Sequence, residues 1–132
     1  MKITSANERA SIKGSSEYFT GEATIEMLFA PNGPRDFSGA YVTFQPGART
    51  AWHVHPAGQT IIVTKGEAWV QSEGKERITL KEGDVLWTPP GVRHWHGATA
   101  TTALTHIAIH ERDETGHVTW MEPVTDEQYR KG

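Results

Sequence analysis

The stretch that decides the fold is "GARTAWHVHPAGQTIIVTKG", residues 47–66. Alternate side chains of an extended strand share a face, so His53 and His55 are expected on one face, about 6–7 Å apart. Two imidazoles at this spacing are typical of half a metal site, and the alternative is a pair of surface histidines in a hairpin. Gln59 follows four residues later, where a metal site would ordinarily place a carboxylate. If Gln59 opens the next antiparallel strand, the "PAG" turn brings its amide back beside both histidines.

Length and composition limit the class of protein. The chain of 132 residues predicts one domain over residues 1–132, and the absence of cysteine excludes disulfides and zinc–thiolate sites. The net charge is −3, with acids and bases interspersed, which argues against a nucleic-acid partner. No apolar run approaches the roughly 20 residues that span a bilayer, and the start of the chain is polar. We therefore expect a soluble, cytoplasmic protein without a membrane partner.

Short runs rich in Val, Ile, Thr and Trp alternate with Gly and Pro, which predicts an all-β fold. The first twenty residues are expected to form a loose arm ordered by a partner subunit, residues 21–122 a β-barrel, and residues 123–132 a tail. Thr125 and Gln128 have the spacing of a capping box, which predicts one helical turn in that tail. Ten strands are expected, at residues 23–29, 39–45, 50–55, 59–66, 67–73, 75–81, 84–89, 94–99, 102–111 and 117–122.

A second His-x-His pair, His94 and His96, also follows a Pro/Gly turn. The two regions fit two spaced patterns, G-x5-H-x-H-x3-E-x6-G from Gly47 to Gly66 and G-x5-P-x-G-x2-H-x3-N from Gly83 to Ala98. Gln59 replaces the acid of the first pattern and Ala98 the Asn of the second, while every spacing agrees. In these motifs the chain resembles the cupin superfamily. The resemblance implies a single-domain jelly-roll barrel whose metal is held by His53, His55, Gln59 and His94.

A narrower resemblance covers nearly the whole chain. The segments "PGARTAWHVHPAGQTIIVTKG", "HWHGATATTALTHIAI" and "WMEPVTDEQYR" are similar to the small bacterial manganese-dependent cupin hydroxynitrile lyases. These enzymes cleave (R)-cyanohydrins such as mandelonitrile to an aldehyde and hydrogen cyanide, and run the reverse addition. The resemblance implies one divalent metal per chain, manganese first, with the substrate oxygen on the metal. Iron, zinc, cobalt or nickel also suit nitrogen and amide ligands, and a homo-oligomer, dimer or tetramer, is expected.

The glutamine changes the charge of such a site. Three imidazoles and a carboxylate leave a divalent centre near +1, whereas Gln59 leaves it near +2. Metal affinity should therefore fall, while Lewis acidity toward a bound hydroxyl should rise. The set also differs from the two-His-one-carboxylate ligands of non-haem iron oxygenases.

Further histidines supply candidate proton carriers. His106 is expected on an inward face of "LTHIAIH", where an apolar setting keeps it neutral, so it is the predicted general base; the alternative is a core histidine bonded to a backbone carbonyl. His96 would contact substrate or cyanide, or orient a ligand, and both roles stay open. His110 is expected at the barrel mouth, as part of the substrate pocket, and His117 in a solvated turn.

Alternating Ala40, Val42 and Phe44 line the pocket if they face inward, or serve ordinary barrel packing. Trp52 points away from His53 and is expected outside the metal chamber. Two rival functions are a metal-dependent cupin oxygenase or isomerase on a small polar substrate, and a non-enzymatic metabolite-binding cupin.

Overall fold

The structure, a computed structural model, describes residues 1–111 and 118–131. Over these residues it is nearly all β, with a short 3-10 turn at Ala6–Glu8 and one helix, α1, at Asp126–Lys131. The strands are β1 (Ser11–Lys13), β2 (Phe19–Thr20), β3 (Ala23–Phe29), β4 (Phe37–Phe44), β5 (Arg49–Thr50), β6 (His53–Val54), β7 (Gln59–Ser72), β8 (Ile78–Lys81), β9 (Val85–Thr88), β10 (His94–Ala98), β11 (Leu104–Glu111) and β12 (Thr119–Trp120). No helix in the described part of the chain is long and apolar enough to cross a membrane.

The strands form a curled antiparallel sheet in the order β1-β3-β4-β11-β7-β10-β5-β2. Off this path, β8 and β9 pair with β7, β6 pairs with β10, and β12 pairs with β6. The fourteen-residue β7 belongs to both halves of the fold. Its first part pairs with β11 and β9, and its second part with β10 and β8. The all-β fold expected from the sequence is confirmed.

A glycine at the bend of β7 explains one wrong prediction. The sequence predicted two strands, 59–66 and 67–73, and the structure has one continuous strand. Gly66 has φ +79°, and a Cβ there would collide with the carbonyl oxygen of Ala103. The chain therefore bends between the two half-sheets without leaving the strand, which only glycine permits at this position.

The strand that carries the first histidine pair also differs from the prediction in its length and in its partners. The predicted strand 50–55 is split into β5 and β6, because the amides of Ala51 and Trp52 bond to the carbonyls of Tyr18 and Glu122. β6 pairs with β10 and β12, so the predicted hairpin with Gln59 is wrong. β7 instead brings Gln59 opposite His110 of β11.

The segment expected to be a loose arm takes part in the sheet of its own chain. β1 pairs with β3, and β2 pairs with β5. Near the C-terminus, the capping box forms as expected. The backbone amide of Gln128 donates to Thr125 Oγ1 at 3.1 Å, and the backbone amide of Thr125 donates to Gln128 Oε1 at 2.9 Å.

Two apolar clusters hold the fold together. The larger fills the sheet interior around Phe44, Val63 and Leu104, all less than 2% exposed. The smaller packs Trp52 and Trp95 against Val124 and Tyr129 of the C-terminal segment. Trp52 thus lies outside the histidine-lined interior, as expected.

Candidate active site

A cavity of about 160 Å³ lies inside the curled sheet. Its polar lining is Thr50, His53, His55, Gln59, His96, His106 and His110, and its apolar lining is Phe19, Ile25, Met27, Ala40, Val42, Phe44, Ala108, Val118 and Trp120. Ligand pockets for drug-sized molecules are about 300–1,000 Å³, so this cavity suits a smaller and mostly apolar molecule.

The strand register shows which residues form the apolar wall of the cavity. Ile25, Val42 and His106 are neighbours across β3, β4 and β11, and Met27, Ala40 and Ala108 form the next row. Ala40, Val42 and Phe44 therefore stand on the cavity wall, although Val42 and Phe44 also belong to the core. Pocket lining and barrel packing, the two alternatives expected from the sequence, are therefore roles that the same surface of β4 fulfils together.

The leading histidines of the two His-x-His pairs meet across strands. His53 of β6 is in register with His94 of β10, and their ring centroids are 4.3 Å apart. Each ring holds its Nδ1 2.9 Å from the carbonyl oxygen two residues earlier, Ala51 for His53 and Val92 for His94. A carbonyl can only accept, so each Nδ1 carries the hydrogen and each Nε2 keeps its lone pair. This is how metal-binding histidines are commonly oriented.

Several buried polar atoms around these rings are suited to bind a cation. Gln59 Oε1, His94 Nε2 and His96 Nε2 are buried without a hydrogen-bond partner among the described residues. An unsatisfied buried acceptor costs about 1–3 kcal/mol, and a bound cation would offset that cost for Gln59 Oε1 and His94 Nε2. Imidazole nitrogens and an amide oxygen are suitable donors for a divalent transition metal, so the residues present fit one.

The structure brings together a group that differs in part from the predicted ligands. Ring nitrogens of His53, His94 and His96 lie within 4.8 Å of one another and could hold a metal ion. His55 is next to this group, with its ring 5.1 Å from His53 and 5.8 Å from His94, and lines the cavity with Gln59. His94 itself borders a neighbouring crevice rather than the main cavity.

His96 and His106 form a hydrogen-bonded pair, with His106 Nε2 3.1 Å from His96 Nδ1. His106 is fully buried, and its Nδ1 has no hydrogen-bond partner within the described residues. Its one side-chain partner among the described residues is His96, while its own backbone carbonyl opposes part of the pKa shift that burial causes. The ring lines the cavity, where it can contact a bound molecule.

Burial keeps these imidazoles neutral. It lowers the pKa of His106 to about 4, and lowers the pKa values of His53 and His96 well below their usual range. The neighbouring histidines lower the last two further, because two positive rings would repel each other. The pKa of His94 is lowered by burial too, although its bond to the Val92 carbonyl opposes that shift.

His110 lies farther along β11. Its ring is 5.0 Å from that of His55, and its Nε2 is 3.5 Å from Ser38 Oγ. It lines both the cavity and an outer groove beside Trp87. His117 is outside the described residues.

Sequence reasoning missed two aromatic wall residues, Phe19 and Trp120. Each lies in a strand of two residues, too short for alternation to show a face. The available signal was Phe19 at the end of a polar segment, since phenylalanine is among the residues most often buried.

Comparisons with known proteins find a matching family and similar proteins. The family described as "Cupin domain" matches residues 40–110. An (R)-mandelonitrile lyase from Granulicella tundricola is 53% identical over 131 residues, covering 99% of this chain and 100% of that protein. A 3-hydroxyanthranilate 3,4-dioxygenase from Burkholderia cenocepacia is 40% identical over 53 residues, which are 37% of this chain and 29% of that protein.

Among solved structures, a cupin-like protein from Thermotoga maritima is 47% identical, with a TM-score of 0.86 and coverage of 90% of both chains. This likeness extends over the sheet that carries the cavity.

Proposed function

Because the chain belongs to the cupin family, we propose that it is a metal-dependent hydroxynitrile lyase. It would cleave (R)-cyanohydrins such as mandelonitrile to an aldehyde and hydrogen cyanide, and catalyse the reverse addition. The observation that carries the proposal is the end-to-end similarity to the Granulicella tundricola enzyme. It is supported by a buried histidine cluster on a small, mostly apolar cavity.

We assign the metal to His53, His55, Gln59 and His94. The orientation of His53 and His94 and the unsatisfied Gln59 Oε1 support this set. Manganese is the proposed ion because the chain resembles the manganese-dependent cupin hydroxynitrile lyases; manganese binds weakest in the divalent series, so its availability decides occupancy. When bound, the cation supplies Lewis acidity that favours the deprotonated form of a hydroxyl group.

The hydrogen bond between His96 and His106 links their protonation states. If His106 accepts a proton at Nδ1, its Nε2 must carry the hydrogen that it donates to His96 Nδ1. His96 then carries its other hydrogen on Nε2 and cannot be a metal ligand. A ligand set of His53, His94 and His96 requires the opposite tautomers and would leave His106 Nδ1 unable to accept. The two assignments exclude each other, and the base role of His106 goes with the four-residue set above.

The proposed reaction follows from these atoms. His106 takes the hydroxyl proton of the cyanohydrin at Nδ1, and the electrons of that O–H bond form the aldehyde carbonyl. The bond from carbon to cyanide breaks, and its electron pair leaves with the cyanide. His96 donates a hydrogen bond from Nε2 to the departing cyanide, and His106 returns the proton to form hydrogen cyanide. A neutral His106 is required at the start, in keeping with its pKa of about 4.

The partial likeness to a dioxygenase supports a second candidate, a metal-dependent oxygenase. It covers 37% of the chain, against 99% for the lyase. Gln59 also departs from the ligands typical of iron oxygenases. The lyase is therefore the proposal we put first.

The test is direct. Metal-loaded protein is incubated with (R)-mandelonitrile, and benzaldehyde is followed by absorbance, with and without chelator, in air and under nitrogen. Chelator-sensitive benzaldehyde release in both atmospheres is expected. Absence of release would refute the lyase, and release only in air would favour the oxygenase. His106→Ala should abolish cleavage while retaining bound metal.

We also propose that two copies associate through the outer face of the sheet. Tyr41, Ile107, Ile62 and Val85 form an uncharged row across four strands, and Val85 is 64% exposed. Beside it Trp87 is 56% exposed. Each copy has a net charge of −3, so an uncharged apolar face is where two copies can meet with little repulsion.

Sedimentation of the parent as a dimer or tetramer, and of Trp87→Ser as a monomer, would support this interface. A monomeric parent would refute it. The cytoplasmic location stays a prediction from the sequence.

A further inference from the structure

One end of the cavity is aromatic and belongs to the segment that the sequence predicted to be loose. Phe19 lies in β2, which pairs with β5, and the carbonyl of Tyr18 accepts a hydrogen bond from the amide of Ala51 at 2.8 Å. A Cβ at Gly14 would come within 2.7 Å of the Phe19 ring, so the absence of a side chain there leaves room for it. Phe19 is therefore held in place by the chain on two sides.

Phe19 stands one ring away from the proposed base His106 and from the proposed metal ligand His53. Its centroid is 5.9 Å from Phe44 and 6.1 Å from Trp120. Phe44 in turn is 5.4 Å from His106, and Trp120 is 4.8 Å from His53. Trp120 is supported from behind by Tyr18, whose ring stacks on it at 4.7 Å with an interplanar angle of 16°.

The length of the cavity wall that runs along the sheet from His106 limits the size of a ligand. Ile25 and His106 are two strands apart in one register row, which corresponds to about 10 Å at the usual strand spacing. A molecule whose reacting carbon lies near His106 thus has room for about one ring before it meets Ile25 and Phe19. The cavity volume of about 160 Å³ agrees with that limit.

We propose that Phe19, flanked by Trp120, is the residue that determines substrate size. Its ring contacts the substituent on the reacting carbon and restricts it to a single arene or a comparable alkyl group. The inference rests on the proposed hydroxynitrile lyase activity and names the substrate class of the same cavity. It also gives Phe19, in the segment that was expected to be a loose arm, a role in the site.

The experiment compares two cyanohydrins, mandelonitrile and the cyanohydrin of 2-naphthaldehyde, with the parent, Phe19→Ala and Phe19→Leu. The ratio of kcat/KM for the naphthyl over the phenyl substrate should rise about tenfold in Phe19→Ala and less in Phe19→Leu. A loss of folded protein lowers both values equally and leaves the ratio unchanged. Phe29→Ala is the matched control, because Phe29 is a half-buried phenylalanine of β3 that does not line the cavity.

A binding measurement separates failure of this inference from failure of the proposed function. Calorimetry with benzyl alcohol and 2-naphthalenemethanol on the metal-loaded proteins gives the same size ratio without turnover. Unchanged ratios in both Phe19 variants would overturn the role of Phe19 whether or not the parent cleaves cyanohydrins. A parent that cleaves neither substrate would refute the lyase, and a raised binding ratio in Phe19→Ala would still support the size-determining wall.

Discussion

His96 Nδ1 and His106 Nε2 lie 3.1 Å apart, so a single hydrogen joins the two imidazoles. The position of that hydrogen decides which ring can bind a metal and which can accept a proton. The assignment of ligand and base can therefore be tested by measuring metal content and turnover independently in the same variants.

His96→Ala should retain one metal per chain and lose activity by about 100-fold, which is typical for the removal of one hydrogen-bond donor to a developing anion. Metal content is measured by atomic emission on dialysed protein, and activity by benzaldehyde release. His53→Ala is the control, because it removes a proposed ligand and should lose the metal. Loss of metal from His96→Ala as well would instead support the group of His53, His94 and His96.

The acid limb of the pH–rate profile should be centred well below the ordinary histidine pKa of about 6.5. Burial lowers the pKa of His106 to about 4, so the base stays neutral and active as the pH falls from 7 to 5. The measurement is kcat/KM for mandelonitrile between pH 4 and 8, over a range in which metal content is constant. An acid limb centred near 6.5 would show that a different group accepts the proton.

Gln59→Glu should bind metal more tightly and turn over more slowly. The added carboxylate lowers the formal charge of a divalent site from about +2 to about +1, which weakens its support for an anionic oxygen. Metal affinity is followed by competition with a chelator, and kcat by benzaldehyde release under saturating metal. Faster turnover in the variant would contradict the charge argument.

The metal-free protein should lose stability as the pH falls from about 6.5 to about 4. In that window the unfolded chain protonates His106 while the folded chain does not, so each step down in pH favours unfolding. The shift corresponds to at most about 3–4 kcal/mol from this residue. Thermal melts of the metal-free parent and of His106→Leu at pH 7 and pH 5 test it, and an equal drop in Tm for both would exclude His106 as the source.

Gly66→Ala should destabilise the protein by about 2–4 kcal/mol, because the added methyl group collides with the Ala103 carbonyl and φ is positive. Gly74 provides the control, since it has the same φ of +79° but open space around a new Cβ. Gly74→Ala should cost about 1–2 kcal/mol, the strain of the left-handed conformation alone. Urea unfolding of both variants measures the difference, and equal losses would show that the collision is relieved.

The sequence predicted the fold class and the inward face of β11 because both depend on local features, the spacing of Gly, Pro and His and the alternation in "LTHIAIH". It could not predict that β6 avoids a hairpin with β7, since that pairing depends on contacts with Glu122 and Tyr18, which are distant in the chain. The same limit applies to Phe19 and Trp120, whose strands are too short to show a pattern. Local patterns identified the histidines, Gln59 and the alternating residues of β4, and long-range packing added Phe19 and Trp120.

The continuity of β7 has a consequence for how the chain unfolds. Gln59 at its start lies on the cavity, Trp69 near its end packs against Tyr129, and the backbone between them is one uninterrupted strand. Neither half of the sheet can then separate from the other without breaking the hydrogen-bond ladders on both sides of β7. The chain should consequently unfold in a single cooperative step, and the amides of β7 should be among the slowest to exchange with deuterium.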